Sequence, residues 1–387
     1  LSAGTSTSDD AAIVSVACVS HDVTWRTSWD TVRVRTADGS AGIGELSDAG
    51  TRELSDRYAA ELSDVVVGHS AEEALAVVGA ESHRLSENRA GPTQDRRLRL
   101  TVLGGFEAAL CDLAATRSGM GLPEWYGRAA APEFPCYANL NRALHKRTPD
   151  EFARIAKLAV AEGFTAVKCA PFDFLVGSKR VQLGLRLAAA VRETIGDDIE
   201  LRLDLHGHVP VGEILAAERA FAELRPAWIE DPTGIADLEG MRAVRETLGV
   251  PIAGGEFVAS KAELEPALSA GVLDVVMPDV KHAGGPRRAL ELARFATSAG
   301  AQVSLHNPTG PVSTAHSLAV SWQIDGCGPL ELAIGEHEGR ATVVSPAEQV
   351  RSGMIRPCCD GAGLGVDLSA RRLPMEAGPE PRIEFIG

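Results

Sequence analysis

Each shortage in this 387-residue chain removes a class of protein from consideration. Basic residues are outnumbered: 38 Lys and Arg face 53 Asp and Glu, and a net charge of −15 argues against a nucleic-acid or membrane-surface partner. Cysteine is sparse and odd in number. Cys18, Cys111, Cys136, Cys169, Cys327, Cys358 and Cys359 form no C-x-x-C pair and no Cys/His zinc spacing. That favours structural thiols in a reducing, cytoplasmic compartment over a disulfide framework. No apolar run reaches the roughly 18 residues that suggest a membrane span. The opening LSAGTSTSDDAA carries no basic segment followed by an apolar one, and residues 1–10 read as a disordered start. A dinucleotide fingerprint is missing too: GGEFV and HAGGPRR each hold a glycine pair without the G-x-G-x-x-G spacing.

What is present is a repeated alternation. From Cys136 onward the apolar runs PCYANL, FTAVKCA, IELRLDL, PAWIED, VPIAGGE, LDVVMPD, AQVSLHN and PLELAIG are separated by amphipathic segments such as EFARIAKLAVAEG and PRRALELARFATSAG. TPDE at 148–151 is a capping-box signature with Pro149 at the first helical position. Strand–helix units repeated over 136–350 suit a (β/α)8 barrel, an α/β fold whose functional groups sit at the C-terminal ends of the strands. Residues 1–135 differ in texture. DTVRVRTADGSAGIGEL reads as a hairpin turning at ADGS, and TVLGGFEAALCDLAATRSG as a helix, together an α+β domain preceding the barrel. The tail, 351–387, is rich in Gly and Pro and ends in RIEFIG, and is expected to pack back on that first domain.

The stretch LRLDLHGH at 201–208 puts Arg202, Asp204, His206 and His208 on one strand face and leucines on the other. Polar residues at the ends of the other strands fall into the same phase: Lys168, Asp204, Glu230, Glu256, Asp279, His306 and Glu331. From Asp204 onward the spacings are 26, 26, 23, 27 and 25 residues, about one strand–helix unit each, so a barrel brings them to one rim. The carboxylates of Asp204, Glu230 and Glu256 would repel one another in a partly dry site, and a divalent cation resolves the conflict. Oxygen-only ligands point to Mg2+, with Mn2+ next. The alternative is a set of salt-bridged or solvated rim acids.

Asp279 is expected to bond one imidazole nitrogen of His306 and leave the other as a base. His206, two residues beyond Asp204, is a candidate acid, with His208 in a loop and Arg202 deeper inside. Lys168 either faces a substrate carboxylate or pairs with one of the acids. Glu331 either hydrogen-bonds developing charge or makes a structural salt bridge. Asn307, next to the base, is a candidate substrate contact.

Taken in order, these residues resemble the enolase superfamily, in the branch of mandelate racemase and muconate lactonizing enzyme. DTVRVRTADGSAGIGEL and GGFEAALCDLAA are similar to its capping domain, and the acid triad with PDVKHAGG is similar to its barrel. The resemblance implies removal of a proton α to a carboxylate; a Lys or His base with Mg2+ stabilising an ene-diolate belongs to the known chemistry of that superfamily and comes with the resemblance. Members with a Lys-x-Lys motif on the second strand use its second lysine as a base. Here KCA puts Ala170 there, which disfavours a two-base racemase. DLHGH resembles the D-x-H-G segment of galactonate-type dehydratases, so the expected activity is dehydration of an aldonate or aldarate to a 2-keto-3-deoxy acid by His306 and His206. A racemase, epimerase or lactonizing enzyme, or a silent metal-binding barrel, remains the alternative. The family's substrate-covering loops correspond to HDVTWRTSWD at 21–30 and ELSDAGT at 45–51, which makes Trp25, Arg26 and Trp29 candidate contacts to a small-molecule carboxylate. A homo-oligomer is a further expectation from the resemblance.

Overall fold

The computed structural model describes residues 11–24, 27–88, 93–356 and 361–369. Alternating residues before and after the ADGS turn form a three-stranded antiparallel meander of β1 (Ile13–Thr24), β2 (Thr27–Thr36) and β3 (Ala41–Glu45). Gly39 turns the chain with φ 88°, in the left-handed region that suits glycine. Three helices follow: α1 (Arg52–Val66), α2 (Ala71–Glu87) and α3 (Thr93–Arg117), then the single turn α4 (Leu122–Trp125). A reciprocal capping box between Ser70 and Glu73 starts α2.

Helix α3 begins earlier than the apolar pattern suggested and is buried on almost every side from Leu100 to Ala115, because it lies between the meander and the second domain. Glycines make that possible. A Cβ on Gly42 or Gly44 would run into the carbonyl oxygens of Ala109 and Gly105, so the strand packs directly on the helix backbone. Gly104 stands in the same relation to the carbonyl of Lys281, on the barrel side.

The eight apolar runs form β4 (Phe134–Asn139), β5 (Ala166–Cys169), β6 (Glu200–Asp204), β7 (Pro226–Glu230), β8 (Ile252–Gly254), β9 (Val275–Val276), β10 (Gln302–Val303) and β11 (Leu330–Ala333). They are parallel neighbours in that order from β4 to β10, and β11 closes the ring on β4 through Leu330↔Cys136 to Ala333↔Asn139. At the last seam Gly328 N–H donates to the carbonyl of Val303 at 2.7 Å. The intervening helices are α5 (Pro149–Ala161), α6 (Arg180–Ile195), the pair α7 (Val211–Ala216) and α8 (Glu218–Leu224), α9 (Leu238–Leu248), α10 (Lys261–Ser269), α11 (Pro286–Ser298) and α12 (Pro311–Ser321). Thr148 caps α5 by accepting from Glu151 N–H, but the Glu151 carboxylate turns to His145 N–H instead of closing a capping box. The fold is thus a (β/α)8-type barrel with an N-terminal α+β cap. Leu201, Leu203 and Leu205 are fully buried toward the helices, while Arg202 lies inside the ring between Tyr137 and Trp228, with its guanidinium 4.1 Å and 4.0 Å from the two ring centres.

The segment after the barrel divides. β12 (Val344–Ser345) pairs with β15 (Asp367–Leu368), and β13 (Gln349–Arg351) forms a hairpin with β14 (Met354–Arg356). β14 then pairs with the start of β4, extending the barrel sheet rather than reaching the cap. Residues 361–369 do return to the cap: Leu364 N–H donates to Asp112 on α3 at 2.7 Å, and Asp367 pairs with Arg33. The RIEFIG ending and residues 1–10 lie outside the described residues. No helix among those described is long and apolar enough to cross a membrane.

Candidate active site

The phase argument places Lys168, Asp204, Glu230 and Glu331 on strands, and Glu256, Asp279 and His306 just beyond β8, β9 and β10. Lys168, Asp204, His206, Glu256 and His306 line a cavity of about 370 Å³, and Asp48, Gly50 and Arg97 line it from the cap. This lies in the range of small-ligand pockets.

His306 is held at both nitrogens. Nδ1 lies 2.9 Å from Asp279 Oδ2 and Nε2 lies 2.7 Å from Glu256 Oε2. Burial opposes charge on this imidazole, but Glu256, Glu331 and the bond to Asp279 outweigh it and push the pKa up to about 10. Asp279 is fully buried; Lys281, with its ammonium 3.1 Å away, helps hold its carboxyl well below the usual range against the cost of burial. His282 sits beside this pair with Nδ1 2.8 Å from Thr101 Oγ1, and burial lowers its pKa to about 3, so it is neutral.

A second Asp–His pair faces the same cavity. β6 ends at Asp204 and His206 takes φ 45°, so the strand's period of two stops there and His208 lies beyond the strand, as the sequence reading expected. The turn nevertheless brings His206 Nε2 to 3.0 Å from Asp204 Oδ2 and Nδ1 to 2.7 Å from Asp173 Oδ1. Burial opposes its charge, yet Asp204 and Asp173 raise its pKa well above the ordinary value.

Lys168 lines the cavity, but its ammonium is committed: Glu230 lies at 2.6 Å, Glu331 at 2.7 Å and Asp204 at 3.5 Å. Glu331 has no exposure and also accepts from Asn139 and the Asn307 N–H. Its carboxyl is held below the ordinary range against burial, mainly by Lys168, which favours the salt-bridge alternative over a hydrogen bond to developing charge.

Two expected substrate contacts are corrected. Asn307 is fully buried and fully bonded, to Thr314, Ser317 and the carbonyl of Glu331, because it points the opposite way from its neighbour His306. Trp29 is also fully buried, with its ring in the cap core under Arg340 and beside His337, and it does not reach the cavity. Trp25 and Arg26 lie outside the described residues. Sequence reasoning missed Asp173, Arg97, His282 and the ion pair of Asp48 with Arg142 at 2.7 Å. Asp48 and His282 stood inside motifs already singled out; Asp173 and Arg97 carried no periodic signal.

Asp204, Glu230 and Glu256 fit a hard divalent cation. Asp204 Oδ2 is buried, with His206 Nε2 at 3.0 Å and Lys168 Nζ at 3.5 Å as its polar neighbours among the described residues. Burial and the charge on Asp204 push Glu230 well above the usual range, and burial with Glu256 pushes Asp231 up to about 7. Negative charge is therefore in excess at this rim. As the side chains stand, the acids turn to Lys168 and His306, and among the described residues the atoms close enough to share one ion belong instead to Asp173, His206 and His208 or to Asp279, His282 and His306.

Residues 151–372 match the family model described as Enolase C-terminal domain-like. The chain is 30% identical over 309 residues to a D-gluconate dehydratase of Thermoproteus tenax, covering 78% of this chain but 60% of that protein. It is 25% identical over 362 residues to a D-galactonate dehydratase of Verminephrobacter eiseniae, covering 88% of this chain and 89% of the other. A mandelate racemase/muconate lactonizing enzyme structure from Jannaschia sp. CCS1 superposes with a TM-score of 0.77 at 23% identity, covering 92% and 95% of the two chains, and shows the shared fold.

Proposed function

The chain belongs to the enolase superfamily, and from that premise and the cavity's geometry we propose that it is a Mg2+-dependent acid-sugar dehydratase, a hydro-lyase acting on aldonates or aldarates. The observation that carries this reading is the pair of Asp–His couples, Asp279–His306 and Asp173–His206, reaching one cavity from different strands.

His306 Nε2 removes the proton α to the substrate carboxylate, while Asp279 fixes the tautomer through Nδ1. Lys168, held protonated by its acids, offsets the negative charge that develops on the carboxylate. His206 gives its proton to the β-hydroxyl, which leaves as water, and the resulting enol tautomerises to a 2-keto-3-deoxy acid. Asp204, Glu230 and Glu256 would hold a divalent cation, which would supply Lewis-acid stabilisation of the charge developing on the carboxylate.

Ala170 supports dehydration over a two-base racemisation. Its N–H donates to Asn141 Oδ1 at 2.6 Å and its carbonyl is bonded by Arg147, so no side-chain base stands at that position. We also read the protein as a cytoplasmic homo-oligomer. The test is proton NMR in D2O with Mg2+ and a panel of aldonic and aldaric acids, with an EDTA control. Metal-dependent formation of a 2-keto-3-deoxy acid supports the reading; α-proton exchange without loss of water sinks it in favour of an epimerase.

A further inference from the structure

Arg97 is the one cavity-lining cation whose charge the described residues leave unmatched. It lies in the second turn of α3, on the cap side, with its guanidinium 3.1 Å above the centre of the Phe257 ring. Among the described residues it makes no hydrogen bond and no ion pair, although carboxylates stand close by. Those carboxylates are taken. Asp48 is bonded to Arg142 at 2.7 Å, Glu256 to His306 at 2.7 Å, and Asp279 to Lys281 and His306. Partial burial lowers the pKa of Arg97 from its ordinary value, against the pull of those carboxylates.

Its position is fixed from three sides. Phe257, directly after Glu256, stacks on it from the barrel. Thr101, one helical turn further along α3, bonds His282 at 2.8 Å, which turns this face of the helix toward the cavity. Leu98 packs under Gly50 of the 45–51 loop. Among the described residues no side chain is left to complete the site. A half-buried guanidinium with no bonded partner favours an anion, which it grips with paired, charge-assisted hydrogen bonds; a hydroxyl leaves its charge uncompensated.

The reacting carboxylate belongs with Lys168 on β5 of the barrel, whereas Arg97 enters the same cavity from α3 of the cap. We propose that Arg97 anchors a second, non-reacting anionic group at the far end of the substrate, so that the chain prefers acid sugars charged at both ends, the aldarates, to aldonates. This narrows the substrate class of the dehydratase reading and rests on it. It also separates the chain from the relatives named for the monoacids gluconate and galactonate.

The experiment compares each aldarate with the aldonate of the same configuration, and with that aldonate carrying a terminal phosphate, by kcat/KM of the wild type, Arg97→Gln and Arg97→Lys. The diacid should be preferred by about 100-fold in the wild type, as expected for one charged partner of a desolvated pair. Arg97→Gln should collapse the preference through KM, and Arg97→Lys should retain part of it. If the phosphorylated aldonate is favoured over the aldarate, the carboxylate assignment is overturned. A fall in kcat/KM equal for monoacid and diacid marks a merely structural Arg97 and overturns the anchor, leaving the dehydratase intact. Calorimetric titration separates the two readings: diacid binding that is lost in Arg97→Gln, with no turnover of any acid, sinks the dehydratase and keeps the anchor.

Discussion

His306 and Asp279 come from neighbouring strand ends 27 residues apart, and their side chains meet with Nδ1 2.9 Å from Oδ2. That contact leaves Nε2 as the nitrogen that faces the cavity. His306→Asn should lower exchange of the substrate α-proton with solvent deuterium by about a thousandfold or more. His206→Asn should keep the exchange and lose dehydration. Normal dehydration by the first variant would remove His306 from the role of base.

Asp173 acts through His206, so its substitution should split the two steps. In Asp173→Asn, kcat for dehydration should fall about 10- to 100-fold while α-proton exchange persists and KM stays within about threefold. Equal losses of exchange and dehydration would show that Asp173 supports the cavity as a whole.

The excess negative charge at the rim predicts that Mg2+ stabilises the fold as well as the reaction. Unfolding temperature should rise with Mg2+ concentration by mass action and revert with EDTA. Asp204→Asn should weaken Mg2+ binding, read by calorimetry, by at least about 100-fold. Unaltered affinity would exclude Asp204 as a ligand.

His316 supplies a pH dependence away from the cavity. On α12 it bonds the carbonyl of Ile43 through Nε2 at 2.9 Å, and burial holds its pKa down to about 4 against an ordinary 6.5. The folded state keeps the imidazole neutral while the unfolded chain takes up a proton below about pH 6.5. Stability present above that pH is therefore lost as pH falls toward about 4, by roughly 3 kcal/mol. His316→Gln, which keeps a donor for Ile43, should flatten denaturant midpoints measured between pH 7 and 4. An unchanged slope would assign the acid sensitivity elsewhere.

Gly44→Ala should destabilise the protein by about 3 kcal/mol or more, because the added methyl meets the backbone of α3 and not a side chain that can swing aside. A variant with the wild-type unfolding midpoint would mean that strand and helix can separate without cost.

The barrel and its rim were legible because a repeat of strand and helix returns the chain to the same height about every 25 residues, so phase alone gathers Asp204 through Glu331. Phase says nothing of loops. Asp173 and Arg97 reach the cavity from a strand-end loop and from the cap, where no period governs position. The same principle explains two misreadings. Asn307 is one residue out of phase with His306, and Trp29 is buried on the same face of β2 as Thr27 and Thr31, away from the cavity.

Glu45 draws the cap and the catalytic loop together. Its carboxylate accepts from Thr309 Oγ1 at 2.6 Å and from the N–H groups of Gly310 and Ser313, each at 2.9 Å, so a cap residue starts the helix that follows His306. Val312 and Ala319 of that helix are part of the cap's own apolar core. The two halves are consequently not interchangeable parts. A barrel produced alone would start α12 with unanswered donors and an open apolar face, and a cap transplanted from a relative would need its own carboxylate at this point. A substitution in the cavity walls can therefore change what is recognised without disturbing the seam, whereas a change at Glu45 is felt in both halves at once.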